Sequence, residues 1–336
     1  MKEGLCMRKL YHFIVTSHKE VMSRTKQDFI KANNCLAIAA AKTQSLIYAE
    51  CLMATHHHVI VETDNLTEFV RYYRRSYIHY FNNNYCRTGR LGEKGFYYQE
   101  LIGILHKQAA LSYVLRNPVH HGVTVTPFNY PYSSIDCYFF RRNSQWRCNI
   151  NSPQENIDKK HYYSLLKTYK QRKLFLPKDV LLPQGYAMNS HGLIIPDSFV
   201  ETAAVENIYI TSRNFLYQMN RLSSEEWNRE QEKESQDGSN NPITIASMER
   251  PIICSSKDPQ LYKKMLNNET GRFNESVVTY EDICEIIDNK IVARFKKHSY
   301  IELIQSEKDF ATDLLLKLYK KQVPYNILLS MINKCL

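Results

Sequence analysis

Two strand-like runs lie almost next to each other in SLIYAECLMATHHHVIVET, residues 45–63. Both are rich in β-branched, aromatic and other apolar side chains, which favours a β-hairpin. The second run begins with three consecutive histidines. Because side chains alternate between the two faces of a strand, His56 and His58 point the same way and His57 points the other way. The hairpin therefore predicts a pair of imidazoles on one face of a sheet.

The segments beside this hairpin predict further strands and helices. The run KLYHFIVTS, residues 9–17, is typical of a strand, and residues 25–44 favour a helix. Residues 65–85 predict a second helix, since apolar side chains recur there every three or four positions. Asn65 with Glu68 three positions later resembles a capping box, which predicts where this helix begins.

The next two segments complete the predicted fold. Residues 95–104 favour a fourth strand, and residues 107–122 favour a third helix that Pro118 should stop or bend near its end. The resulting order is βαββαβα, which predicts an α+β fold with a ferredoxin-like antiparallel sheet. A mostly helical C-terminal extension is expected to follow.

Composition predicts three regions. A first domain at residues 1–145 precedes a mixed extension and linker at 146–242, whose polar run EKESQDGSNNP is the best linker candidate. Residues 243–336 predict a small helical domain that ends in two helices broken near Pro324. We interpret these two helices as a packing bundle, and the alternative is a DNA-reading helix-turn-helix.

The charge of the chain is concentrated in its first half. Residues 1–150 carry 19 Lys and Arg against 10 Asp and Glu, a balance of +9 out of +10 for all 336 residues. This asymmetry favours a polyanionic partner for the first half. The sequence has no apolar run long enough to cross a bilayer, and its scattered cysteines have no metal-binding spacing, so we expect a cytoplasmic protein with reduced thiols.

A second set of candidate site residues lies in ALSYVLRNPVHHG, residues 110–122. On a helix, Tyr113 and Asn117 are four positions apart and share a face. Asn offers a carbonyl oxygen to a hard cation, and Tyr offers a hydroxyl that can attack phosphorus. From spacing alone, a structural interpretation remains open, because a histidine pair and a lone tyrosine are more often packing residues than a site.

The order and separation of five motifs resemble the REP-associated tyrosine transposases, a branch of the single-tyrosine HUH transposases. The motifs are LMATHHHVIVE, FVRYYRRSYIHYFNNNY, RTGRLGEKGF, YVLRNPVHHGV and NYPYSS. The resemblance covers roughly residues 8–140. It departs from the family at Ala54 and Thr55, which replace Pro and Asn, and at residues 97–99, where Tyr-Tyr-Gln stands in place of residues that are often basic.

The resemblance implies roles for four side chains. His56 and His58 match the metal-binding pair, Asn117 matches the accompanying polar ligand, and Tyr113 matches the nucleophile. It also implies a Mg²⁺ or Mn²⁺ ion and cleavage of single-stranded DNA through a 5′-phosphotyrosine, with a partner strand that forms repeat hairpins. The expected oligomeric state is a monomer or a homodimer.

Basic residues near tyrosines are candidates for binding the DNA backbone. These candidates are Arg71, Arg74, Arg75, Arg87, Arg90, Lys94, Arg141 and Arg142. In the alternative interpretation, Tyr73 and Tyr77 form the core face of their helix and the arginines only solvate its outer face.

Two other functions compete with the transposase interpretation. A ferredoxin-like sheet also serves nucleic-acid-binding proteins that have no catalytic activity. A metal-dependent phosphodiesterase would use activated water and release both products. The first should form no covalent adduct with DNA, and the second should still cleave DNA without Tyr113.

Overall fold

A computed structural model describes most of the chain. The described residues are 8–17, 19–124, 126–139, 182–189, 191–220, 278–320 and 322–336. The predicted linker at residues 232–242 lies outside them, and so do the predicted domain boundaries near residues 145 and 242. Among the described residues, no helix is long and apolar enough to cross a membrane, and the cysteines are free thiols.

The predicted order βαββαβα is confirmed in the first half of the chain. Its elements are β1 (Lys9–Thr16), α1 (Lys26–Thr43), β2 (Leu46–Leu52), β3 (His56–Thr63), α2 (Leu66–Asn84), β4 (Tyr97–Glu100) and α3 (Ile104–His120). Strand β4 is shorter than predicted because Leu101 begins a turn in which Gly103 has φ +78°, a conformation that ends the strand and begins the helix.

The described C-terminal part is mostly helical. Its α-helices are α4 (Thr202–Tyr209), α5 (Ser212–Met219), α6 (Tyr280–Ile286), α7 (Val292–Arg294), α8 (Gln305–Tyr319) and α9 (Tyr325–Cys335). A π-helical turn, Ile287–Ile291, joins α6 to α7. Helices α8 and α9 pack against each other. Pro324 lies between them in the chain, where the sequence predicted a break. The α+β class with a helical C-terminal extension is therefore confirmed.

The four strands form one antiparallel sheet in the order β2-β3-β1-β4, which is the ferredoxin-like arrangement. In the central pair, His58 lies opposite Ile14 and His56 lies opposite Thr16. Ile14 in turn lies opposite Tyr97 on β4. This register decides which side chains share a face across the sheet.

One face of the sheet packs on α2. The ring of Phe13 lies 5.8 Å from the ring of Phe69, and His57 on the same face forms a hydrogen bond with the hydroxyl of Tyr73. Both Tyr73 and Tyr77 are buried, so the interpretation of these tyrosines as the core face of α2 is confirmed.

Helix α2 begins where its cap was predicted. The side chain of Asn65 accepts a hydrogen bond from the backbone N–H of Glu68 at 3.0 Å, which satisfies one of the free donors at the helix end. Helix α1 begins with a full capping box between Thr25 and Asp28. Helix α2 packs on the side of the sheet away from His56 and His58, and α1 packs beside α2.

Helix α3 packs on the opposite face, over β2 and β3. It carries Pro118 in its last turn and ends at His120, as the proline predicted. The backbone N–H of His121 donates to the carbonyl of Asn117 at 3.0 Å, and that of Val123 donates to Pro118 at 2.8 Å. These bonds satisfy the last carbonyls of the helix and hold its C-terminal turn next to the histidine strand.

Candidate active site

The C-terminal turn of α3 brings a carboxamide to the two histidines of β3. The Oδ1 atom of Asn117 lies 2.9 Å from Nε2 of His56, and its Nδ2 atom lies 3.1 Å from Nε2 of His58. Asn117 is fully buried and His58 is 2% exposed. One side chain of α3 therefore contacts the outward nitrogen of both imidazoles.

The orientation of the Asn117 amide sets which nitrogens carry protons. Asn117 Nδ2 can only donate, so Nε2 of His58 accepts and its Nδ1 carries the proton. That proton is donated to Nε2 of His12 at 3.0 Å. His56 Nε2–H donates to Asn117, and its Nδ1 accepts from the hydroxyl of Thr55 at 3.0 Å. Both histidines of the pair are thus oriented through their second nitrogen.

His12 is a site residue that sequence reasoning missed. It lies on β1, is 9% exposed, and stacks its ring on that of His58 with 5.3 Å between centroids. Burial, and to a smaller extent the charge of His106, lowers the pKa of His12 to about 4. His12 is therefore neutral at pH 7 and can accept the proton of His58.

Tyr113 lies one helical turn before Asn117 and faces the same histidines. Its ring centroid is 5.4 Å from that of His58 and 6.1 Å from that of His12, both in edge-to-face geometry. A third ring, that of His120, lies 5.7 Å from it. The structure therefore brings together all four side chains that the sequence proposed for catalysis and metal binding.

Burial keeps the imidazoles of His58 and His120 neutral at pH 7. The pKa of His58 is lowered well below its ordinary value, first by burial and then by the neighbouring His56 and His12. The pKa of His120 falls to about 4, again mainly through burial, with smaller contributions from His56 and Arg116. Neutral imidazole is the form that binds metal ions.

The middle histidine of the triplet has a different environment. His57 is fully buried on the α2 face, where Nε2 lies 3.2 Å from the hydroxyl of Ser23 and Nδ1 bonds to Tyr73. Burial and the charge of His56 lower its pKa to about 3. His57 therefore packs in the core on the α2 side of the sheet.

The donor set fits a hard divalent cation. Across the described ranges, no three His, Cys, Asp or Glu side chains are grouped as a metal site, so any site here needs the carbonyl oxygen of Asn117 beside the two imidazoles. Two nitrogens and one amide oxygen without a thiolate suit Mg²⁺ or Mn²⁺. The Nε2 atom of His58 is already unprotonated, and His56 can move its proton to Nδ1 beside Thr55.

The predicted DNA-binding arginines of α2 lie on the other side of the sheet from this site. Arg71 is exposed and contacts Glu68 at 3.5 Å, and Arg75 is exposed. Arg74 donates to the backbone carbonyls of residues 93–95, with distances of 3.2 Å to Lys94 and 2.9 Å to Gly95. Its guanidinium therefore fixes the loop before β4.

The remaining basic candidates have varied environments. Arg87 is half-buried and bonds to Glu20 at 2.6 Å and to the carbonyl of Arg90 at 2.7 Å, so it also orders this loop. Arg90 and Lys94 are exposed. The two other candidates, Arg141 and Arg142, lie outside the described residues.

Comparison with known proteins gives one match. No family model matches the chain, and no curated protein matches it. Among solved structures, the chain is similar to a REP-associated tyrosine transposase bound to a REP hairpin, with a TM-score of 0.35 and 16% sequence identity. This similarity covers 45% of the present chain and 89% of the other. The fold assignment rests on the strand order and register given above.

Proposed function

We propose that this protein cleaves and rejoins single-stranded DNA by transesterification at Tyr113, as a cytoplasmic single-tyrosine HUH transposase. The observation that supports this proposal best is the convergence of His56 and His58 on Asn117, with the ring of Tyr113 5.4 Å from that of His58. A simple binding protein has no need of this arrangement, in which a phenol and two imidazoles surround one buried carboxamide.

The side chains of the site have separate roles in the proposed reaction. The hydroxyl of Tyr113 attacks the phosphorus atom, which forms a 5′-phosphotyrosine and breaks the bond to the 3′ oxygen. The proton that the phenol gives up is balanced by protonation of that oxygen, which leaves as a free 3′ hydroxyl. His56, His58 and Asn117 would hold Mg²⁺ or Mn²⁺, and the bound ion would supply Lewis-acid stabilisation of the phosphate charge. His12 fixes the tautomer and ring orientation of His58 through the 3.0 Å hydrogen bond.

Rejoining uses the same residues in reverse. Because the covalent link to Tyr113 keeps the phosphodiester bond energy, the 3′ hydroxyl of a second strand can attack the phosphotyrosine and restore the tyrosine. The solved structure to which this chain is similar contains a REP hairpin. The motifs that resemble the REP-associated tyrosine transposases imply hairpin-forming repeat DNA, and we propose it as the partner. The backbone-binding candidates are Arg71, Arg74, Arg75, Arg87, Arg90, Lys94, Arg141 and Arg142.

The experiment is covalent capture of DNA. A pool of 3′-labelled single-stranded oligonucleotides that form hairpins is incubated with the full chain and Mn²⁺, and adducts are resolved on a denaturing gel. We expect an adduct with wild type that disappears in Tyr113→Phe and with EDTA. Tyr72→Phe, which removes a hydroxyl from the α2 side of the sheet, is the matched control and should form the adduct normally.

The other two functions give different results in this assay. Released products that still form in Tyr113→Phe would show a water-activated phosphodiesterase. Binding of the oligonucleotides without any cleavage or adduct would show a non-catalytic binding protein. Either result contradicts the proposed transesterification.

A further inference from the structure

A row of three side chains crosses the sheet from the candidate active site to its edge. His58 on β3 lies opposite Ile14 on β1, and Ile14 lies opposite Tyr97 on β4. Residues paired across neighbouring strands point to the same face. Tyr97 therefore lies on the same face of the sheet as the imidazole pair, two strand spacings or about 10 Å from His58.

The edge of this face is open. Helix α3 packs on β2 and β3, and the part of the face formed by β4 stays accessible, with Tyr97 42% exposed. Among the described residues, the ring of Tyr97 stacks on no other aromatic ring. An exposed tyrosine ring that has no aromatic partner among the described residues is available for stacking on a ligand.

Tyr98, the next residue of β4, differs from Tyr97 in the face to which it points. Tyr98 lies opposite Phe13 and therefore points to the α2 face. Although it is 63% exposed, its ring lies 5.7 Å from that of Phe96 and 6.2 Å from that of Tyr11. Two adjacent exposed tyrosines thus face opposite sides of one sheet, and of these two only Tyr97 shares a face with the site.

We propose that Tyr97 stacks on an unpaired base of the DNA strand, next to the nucleotide whose phosphate lies at His56 and His58. This inference rests on the proposed function, because it needs a single strand in the site. Base stacking on an aromatic ring tolerates any base, since each base has a π-face.

Apolar side chains continue the open surface beyond the end of β4. Ile102, Ile104 and Leu105 are 73%, 56% and 51% exposed, and Ile104 and Leu105 form the first turn of α3 on the same side of the sheet. They can contact the sugar and base of the next nucleotide. A second copy of this chain is the competing occupant of such an apolar surface.

The test measures binding of a 20-nucleotide mixed-sequence single strand by fluorescence anisotropy. All variants are made in the full chain with Tyr113→Phe, so that no covalent capture contributes. We expect Tyr97→Ala to weaken binding by about 5- to 150-fold, the range measured for loss of one base–aromatic stack. Tyr97→Trp should bind within about twofold of the parent because it restores a stacking ring.

Two controls separate stacking from other effects. Tyr98→Ala should leave binding unchanged, because its ring lies on the other face. The slope of log affinity against log salt should be the same in Tyr97→Ala as in the parent, since no phosphate contact is lost. A fully abasic 20-nucleotide strand should bind the parent and Tyr97→Ala equally, because it offers no base for stacking.

The inference is overturned if Tyr97→Ala binds normally or if Tyr98→Ala loses as much affinity. It is also overturned if Tyr97→Ala changes the sedimentation coefficient but not DNA binding, which would indicate contact between copies of the chain. Failure of the proposed function gives a different result, because wild type would then form no adduct at Tyr113. An adduct together with normal binding by Tyr97→Ala rejects this inference alone.

Discussion

Glu50 makes the stability of the fold depend on pH in a way that can be calculated. It lies in β2 next to the histidine strand, is 2% exposed, and its Oε2 atom has no hydrogen-bond partner within the described part of the chain. Burial without a partner raises the pKa of this carboxyl from 4.5 to about 8. Glu50→Gln replaces the acid with a neutral side chain of the same shape.

The direction of this pH dependence follows from how the folded and unfolded states bind the Glu50 proton. Between pH 4.5 and 8 the unfolded chain releases the Glu50 proton while the folded chain keeps it, so the folded state loses stability as pH rises through this window. Each pH unit costs about 1.4 kcal/mol. The stability gained by Glu50→Gln over wild type should therefore grow from about 1 kcal/mol at pH 5 to roughly 4 kcal/mol at pH 8.

Urea unfolding of both proteins between pH 5 and 8 measures this difference. Subtracting wild type from Glu50→Gln removes the contribution of all other titrating groups, such as the buried histidines. Glu285→Gln, which changes an exposed carboxylate on α6, is the control and should show a constant difference. A constant difference for Glu50→Gln as well would refute the reasoning, because it would mean that Glu50 ionises alike in both states.

Two further predictions concern contacts outside the site. Asp288→Ala removes the two hydrogen bonds, of 3.0 and 2.8 Å, that the fully buried guanidinium of Arg24 donates to the Asp288 carboxylate. We therefore expect the free energy of unfolding, measured with denaturant, to fall by about 3–5 kcal/mol. The double variant Arg24→Met/Asp288→Ala should recover at least half of that loss, and a cost for Asp288→Ala below about 1 kcal/mol would contradict a buried ion pair here. Gly92→Ala should lower thermal stability by roughly 2 kcal/mol or more, because φ is +75° and the new Cβ would lie 2.6 Å from the carbonyl oxygen of Thr16. Gly89→Ala, with φ +88° and no atom within 4 Å, controls for the backbone strain alone and should cost less.

Local pattern was sufficient to predict the order of elements and the pairing of His56 with His58 on one face. The period of a strand or helix is a local property, so alternation along β3 and the spacing of Tyr113 and Asn117 already predict which side chains point together. The start of α2 was predictable for the same reason, because Asn65 contacts a backbone group only three residues away.

Contacts that depend on strand register or on distant segments could not be predicted. His12 joins the site because β1 pairs with β3 in a particular register, and many registers fit the same alternation. Arg74 and Arg87 looked like surface cations in the sequence, yet both bind carbonyls of the loop before β4. Arg24 contacts Asp288 across 264 residues of chain, a separation at which no sequence pattern is informative.

The C-terminal helices also contact the backbone that leads into the histidine strand. The carbonyl of Lys334 in α9 accepts a hydrogen bond of 3.1 Å from the N–H of Val21, in the loop between β1 and α1. The next residue of this loop, Met22, donates to the carbonyl of Ala54 at 2.7 Å, two residues before His56. Helix α9 and the hairpin turn are therefore joined through one loop by consecutive backbone hydrogen bonds. Because the orientation of His56 depends on this turn, the C-terminal helices form part of the support of the candidate site although they contribute none of its proposed ligands.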